Sequence, residues 1–140
     1  WGLAHCRLGM MFASKEIIAV INKIKLTYNM NGMMQKYACE ILSKYASQKD
    51  DYVEEILAER KKLIPELEKI KKEKKIYPSD ANFLLVKINN AHEVYKSLVQ
   101  QGIIVRDRTK VFLCQDCLRI TVGTAKENKM LIEKLKEICK

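Results

Sequence analysis

Aromatic side chains make up only 7% of the chain, and no strand-like segment carries the interleaved aromatics on which RNA-binding sheets stack bases. The formal net charge of +9 could suit nucleic acid, a membrane surface or anionic metabolites. Without those aromatics it reads mostly as solvated lysine. No apolar run approaches the roughly 20 residues of a membrane span, and no signal peptide precedes the first motif, so the chain reads as cytosolic. A disulfide framework is missing too: the five cysteines are odd in number and irregularly spaced, which predicts reduced thiols. Cys114-Gln-Asp-Cys117 is a single CxxC, and a zinc site would need two further ligands. His5, Cys6, Cys39, His92 and Cys139 offer no second paired spacing, so Cys114 and Cys117 are expected to be packing or loop residues and no metal is expected. Internal repeats and low-complexity segments are absent.

What remains is an ordinary globular composition, 48% hydrophobic over 140 residues, enough for a sizeable core. The first residue is Trp, which suggests a chain that begins inside a larger sequence. Leu8-Gly-Met-Met-Phe-Ala-Ser14 has the apolar character of a short buried strand. Ser14 is placed to cap a helix carrying Ile17, Ile18, Val20, Ile21 and Ile24. After a turn at 25–31, Asn31 can cap a second helix, in which Met33, Met34, Tyr37, Ala38, Ile41, Leu42 and Tyr45 form a stripe expected to be core. From about Lys49 to Lys75 both signs of charge are dense over Val53, Ile56, Leu57, Leu63, Ile64, Leu67 and Ile70. That predicts one long helix, kinked or broken near Leu63–Pro65, whose terminal Lys71–Lys75 cluster complements the helix dipole.

The final third alternates more sharply. Lys75–Tyr77 and Asn82–Ile88 read as strands about a Pro78-Ser79-Asp80 turn. Ala91–Gln101 reads as a helix burying Val94, Tyr95, Leu98 and Val99, with Gly102 as its stop. Ile103–Val105 and Cys117–Val122 read as further strands. Thr124 and Glu127 make a capping box for a helix over Ala125–Ile138 with Met130, Leu131, Leu135 and Ile138 inward. The fold class is therefore α+β: a small, mainly antiparallel sheet with helices on one side.

Within Cys117-Leu-Arg-Ile-Thr-Val-Gly-Thr124, Leu118, Ile120 and Val122 alternate with Arg119 and Thr121, which puts a guanidinium on the small, polar face of a strand. Its planar fork suits bidentate recognition of a carboxylate or phosphate, although a surface arginine paired with Asp or Glu leaves the same signal. Asp107 and Arg108 could be such a surface pair. Asn82 could equally be a turn former.

Four segments in this order, Trp1-Gly-Leu-Ala-His-Cys-Arg-Leu-Gly9, Tyr77-Pro-Ser-Asp-Ala-Asn-Phe-Leu-Leu85, Ile104-Val-Arg-Asp-Arg108 and the stretch around Arg119, resemble the histidinol-phosphate aminotransferases. These are class I/II, fold-type I pyridoxal-phosphate enzymes. The resemblance covers only the C-terminal part of such an enzyme. It implies that residues 1–47 are the tail of the large cofactor-binding domain, 48–74 a long connecting helix, and 75–140 the small C-terminal domain. It implies that Arg7 binds the phosphate of pyridoxal phosphate, and that Arg119 clamps the substrate α-carboxylate. Arg106 would contact the phosphate of histidinol phosphate or the side-chain carboxylate of glutamate, and Asn82 would border the substrate. The Schiff-base lysine and the aspartate that pairs with the pyridine nitrogen would lie upstream of Trp1, so this chain would hold no catalytic residue of its own. The pattern departs from the family at His5-Cys6 and Leu26-Thr27; His5 reads as a tolerated loop residue.

The implied activity is amino transfer between L-histidinol phosphate and 2-oxoglutarate, giving imidazole-acetol phosphate and L-glutamate in histidine biosynthesis. It would be carried out by a cytoplasmic homodimer that binds neither nucleic acid nor membrane, and these residues alone would be inactive. A related pyridoxal-phosphate enzyme, such as a threonine-phosphate decarboxylase or another aminotransferase, and a non-catalytic basic binding module are the alternatives.

Overall fold

The computed structural model describes every residue except Tyr28, Lys71 and Lys72, and the side chains of Glu73 and Lys74. The chain divides into two compact units, residues 1–51 and 52–140.

In the first unit a 3-10 turn, Ala4–Cys6, is followed by α1 (Lys15–Ile24), α2 (Gly32–Lys44) and the start of α3 (Ala46–Glu68). Ser14 occupies the N-cap of α1, and the Asn31 side chain accepts from the Met34 amide at 2.9 Å, capping α2 as its sequence predicts. The expected strand over Leu8–Ala13 does not form: Met10, Met11 and Phe12 are exposed, Phe12 to 90%. A strand exists only when its backbone groups find a neighbouring ladder, and this segment has none among the described residues. The α2 stripe is not core either. Ala38 is its one buried residue, Met34 and Ile41 are half-buried, and Met33, Tyr37, Leu42 and Tyr45 are exposed. α1 buries no residue at all.

Of the kink or break expected near Leu63–Pro65, the break does not occur: α3 runs unbroken through Pro65. Pro65 is exposed and lies in the last turn, where the missing amide costs a single bond. The helix stops at Glu68, earlier than its charge pattern suggests, because Glu73–Tyr77 is already β1. The expected dipole-complementing lysines fall partly on Lys71 and Lys72, outside the described residues; Lys75 belongs to the strand. Of the apolar stripe, Leu63, Leu67 and Ile70 are buried, whereas Val53 and Leu57 are exposed.

The second unit adds β2 (Phe83–Ile88), α4 (Ala91–Gln100), β3 (Arg106–Asp107), β4 (Cys117–Thr121) and α5 (Ala125–Ile138). The strands form a four-stranded sheet in the order β1-β2-β4-β3, and every described pairing is antiparallel. Burial alternates strictly along β2. Leu84, Val86 and Ile88, with Leu118 and Ile120 of β4, face a core shared with Leu63 and Leu67 of α3, Val94 and Leu98 of α4, and Leu131 and Leu135 of α5. The α+β architecture with helices over one sheet face is thus present. Val99 and Met130, expected inside, are 42% and 45% exposed because each sits at the margin of its helix's apolar stripe.

The end of α4 shows why β3 starts where it does. Gly102 takes φ +76° and its amide bonds the Val99 carbonyl, while the Ile103 amide bonds the Leu98 carbonyl. This pair of bonds is a Schellman closure, and it requires a residue tolerant of left-handed backbone. Ile103 is consumed by the cap, so the strand expected over Ile103–Val105 begins instead at Arg106.

Candidate anion site on the open sheet face

β4 carries Arg119 on the face of the sheet opposite the helices. Arg119 is the cross-strand partner of Leu85 in β2 and of Arg106 in β3. Residues directly opposite on antiparallel strands project to the same face with Cβ atoms about 4.5–5.5 Å apart, so the two guanidinium groups rise from adjacent positions. Like charges so placed repel, and the arrangement persists at least cost where an anion comes between them.

The Arg119 guanidinium lies over the Phe83 ring, 5.0 Å from its centroid, a cation-π contact that leaves the in-plane N–H groups free. Its Nε is buried and has no hydrogen-bond partner among the described residues. A buried N–H left unsatisfied costs on the order of 1–3 kcal/mol, so an acceptor oxygen brought to this nitrogen would be favoured. Phe83 announced itself in the sequence only as a strand residue. Its role as the platform beneath Arg119 comes from the β2–β4 register.

Asn82 precedes β2 and is exposed; its carbonyl accepts from the Val122 amide at 2.9 Å, which ties it to the end of β4. The turn before it is fixed by Ser79, whose hydroxyl donates to the Phe83 carbonyl at 2.6 Å and accepts from the Ala81 amide. Arg60 of α3 donates to the Ala81 carbonyl at 2.8 Å, a contact 21 residues away that no local pattern signals.

Asp107 does not pair with Arg108. Its carboxylate binds the Thr109 amide at 2.8 Å and Nδ1 of His92, in α4, at 2.7 Å. Burial pushes the Asp107 carboxyl up, but the Thr109 amide and His92 together outweigh it and hold the group below its usual range. Arg108 is half-buried, and its amide bonds the Cys117 carbonyl, extending the β3–β4 ladder by one step. Cys117 is buried, which pushes its thiol up and makes it a poor nucleophile; Cys114 lies in the turn that leads to it.

Behind β4 the chain turns into α5 through Gly123. Asn128, buried, accepts from the Gly123 amide at 3.0 Å, donates to its carbonyl at 2.9 Å, and donates to the buried Glu59 of α3 at 3.0 Å. Hydrogen bonds from Lys62 and Asn128 hold the Glu59 carboxyl below its usual range. The predicted capping box is present, Thr124 and Glu127 exchanging bonds.

In the first unit Arg7 is exposed and caps the 3-10 turn with left-handed backbone, φ 52°, its amide bonding the Ala4 carbonyl. Among the described residues no carboxylate pairs with it. A guanidinium without a carboxylate partner has its planar fork available to an anion. His5 is exposed, its ring 6.1 Å from that of Tyr37.

Residues 1–135 match the family described as aminotransferase class I and II, and the chain belongs to that family. It is 49% identical over 138 residues to a histidinol-phosphate aminotransferase of Parabacteroides distasonis, a match that covers 99% of this chain and 40% of the relative. Among solved structures it resembles a putative aminotransferase of Burkholderia pseudomallei, with TM-score 0.86 and 27% identity over 99% of this chain and 42% of that one. It also resembles the histidinol-phosphate aminotransferase of Clostridium acetobutylicum, with TM-score 0.79 and 28% identity over 89% and 38%. The chain therefore spans about 40% of the length of the curated relatives it matches. Its family is one of pyridoxal-phosphate-dependent enzymes. No helix among the described residues is long and apolar enough to cross a membrane.

Proposed function

We propose that these residues are the C-terminal part of a histidinol-phosphate aminotransferase, with 1–47 the end of its cofactor domain, 48–74 a connecting segment and 75–140 its small domain. The observation that carries this reading is the buried, unpartnered Nε of Arg119 beside the cross-strand Arg106. Two guanidinium groups on neighbouring strands suit both anions the reaction requires: a five-carbon dicarboxylate with two separate charges, and a phosphate monoester with nearly two charges on one group.

Arg119 clamps the carboxylate next to the reacting carbon. Phe83 holds its plane, so that the fork presents two parallel donors instead of sweeping freely. Arg106 receives the distal side-chain carboxylate of glutamate; on histidinol phosphate, whose phosphate ester stands on the carbon next to the reacting one in place of a carboxylate, it contacts that phosphate beside Arg119. Asn82 borders the substrate at the mouth of the sheet. Arg7 neutralises the phosphate of the cofactor. Pyridoxal phosphate, when bound, supplies the electron sink that loosens bonds at the amine-bearing carbon. The relatives' name and identity support the substrate, and the family supports the cofactor. A cytoplasmic homodimer is part of the same reading.

The test is to purify the complete enzyme that contains these residues and assay amino transfer from L-histidinol phosphate to 2-oxoglutarate. Robust turnover with this pair, and kcat/KM well above that for phosphate-free amino donors, is expected. Equal or better turnover of a phosphate-free donor rejects the assignment.

A further inference from the structure

β3 is the weakest-held element that carries a proposed binding residue. It is two residues long, lies at the edge of the sheet, and has β4 as its one neighbouring strand among the described residues. Beyond it the chain runs through turns to Asp116 before returning as β4. An edge strand this short is fixed poorly by its own ladder. Val105, buried just before it, anchors its start, but nothing in that contact sets the height of Arg106 above the sheet.

The side chain next to Arg106 supplies the missing constraint. Alternation along a strand sends Asp107 to the face opposite Arg106, toward α4. There one carboxylate oxygen accepts from the Thr109 amide at 2.8 Å and the other meets His92 Nδ1 at 2.7 Å. His92 sits in the first turn of α4, whose buried Ala91, Val94 and Leu98 fix that helix to the core. The Asp107 side of the pair is well shielded, 18% exposed. A short bond from a core-packed helix to the residue beside Arg106 thus restrains the edge strand from behind.

Resting on the reading of Arg106 given above, we infer that His92 and Asp107 form a clasp from α4 to β3 that positions Arg106, and that His92 is thereby a specificity-determining residue for the distal anion of the substrate. His92 touches no reacting atom; it acts through Asp107 and the strand. The orientation used, with Nδ1 carrying the proton toward the carboxylate, places the donor where an asparagine amide nitrogen would also stand.

The experiment uses the complete enzyme and compares two amino donors that share the α-carboxylate and differ in the distal anion, L-glutamate and L-alanine. It does so in His92→Ala, His92→Asn, Arg106→Ala and the double variant His92→Ala/Arg106→Ala. His92→Ala should lower the kcat/KM ratio of glutamate to alanine on the order of tenfold, through KM, because a displaced cation loses its aligned pair. His92→Asn should restore most of that ratio. Adding His92→Ala to Arg106→Ala should change the ratio no further, since the two act through one contact. An equal loss for both donors in His92→Ala, or a further loss in the double variant, overturns the clasp as a specificity device. If Arg106→Ala itself leaves the ratio unchanged, the reading of Arg106 fails. If Arg106→Ala is selective and His92→Ala is not, only the clasp fails.

Discussion

At the scale of single residues, the structure turns two arginines with similar sequence signals into a defined pair. Arg119 is held by stacking on Phe83 and keeps a buried N–H free, whereas Arg106 stands on a short edge strand. Removing a charge-assisted hydrogen bond to a desolvated anion costs roughly 1.5–3 kcal/mol, about ten- to a hundredfold in affinity. Arg119→Ala in the complete enzyme should therefore raise KM for L-glutamate as donor and 2-oxoglutarate as acceptor, both of which carry the α-carboxylate, by about that factor; unchanged Michaelis constants would reject the clamp. Arg119→Lys should recover little, because an ammonium lacks the planar fork. Arg106→Ala should instead penalise substrates with a distal anion and spare those without one, read as a change in the ratio of their kcat/KM values. A uniform loss across both classes would sink the assignment.

At the scale of elements, the junction of β4 and α5 is the most constrained part of the second unit. Gly123 is needed there for space: a Cβ on it would stand 2.9 Å from Glu127 Oε2 and 3.1 Å from Glu127 Cβ. Hydrogen bonds from the Thr124 amide and hydroxyl hold the Glu127 carboxyl below its usual range. A carboxyl depressed in the folded state adds stability that is present above its unfolded value and is lost as pH falls through the lower folded value. Gly123→Ala should push the carboxylate out of the box, lower the thermal midpoint by several degrees, and flatten the dependence of stability on pH on the acid side. Circular dichroism melts from pH 7 down to pH 3 on both proteins measure this. An unchanged acid-side slope would mean that the box carries no such linkage.

At the scale of the whole molecule, the two units differ in kind. The second has a continuous core of buried aliphatic residues, though it too exposes Phe112 and Ile104; in the first, Cys6 and Ala38 are the buried apolar residues among those described, and Phe12 is exposed to 90%, Met33 to 80%, Leu26 to 78% and Ile24 to 74%. Exposed apolar surface on this scale marks a covered face in a larger assembly or a site of association. The 140 residues expressed alone should therefore self-associate, seen as a concentration-dependent sedimentation coefficient; a single ideal monomer across a tenfold range in concentration would contradict this. They should also be catalytically silent. After incubation with pyridoxal phosphate and borohydride reduction, only scattered trace labelling of lysines is expected, with no amino transfer. Stoichiometric labelling of one lysine together with turnover would overturn that expectation.

Local chemistry made much of the second unit readable from its residues. The capping box at Thr124, the glycine stop at Gly102, the alternation through Phe83–Ile88 and the helix over Ala125–Ile138 depend on neighbours within a few positions, and each is found in place. The candidate residues Arg7, Arg106, Arg119 and Asn82 were named from short motifs that keep a family order, and the roles proposed for them rest on that order. What stayed hidden depends on partners far along the chain. An apolar run such as Leu8–Ala13 is a strand or an exposed coil according to whether another ladder lies beside it, and the α2 stripe is core only if something covers it. The cross-strand pairing of Arg106 with Arg119, the Phe83 platform, the Arg60 bond to Ala81 and the His92 clasp on Asp107 are likewise set by register and packing, since hydrogen bonds reach only about 3 Å and bring together residues no sequence window contains.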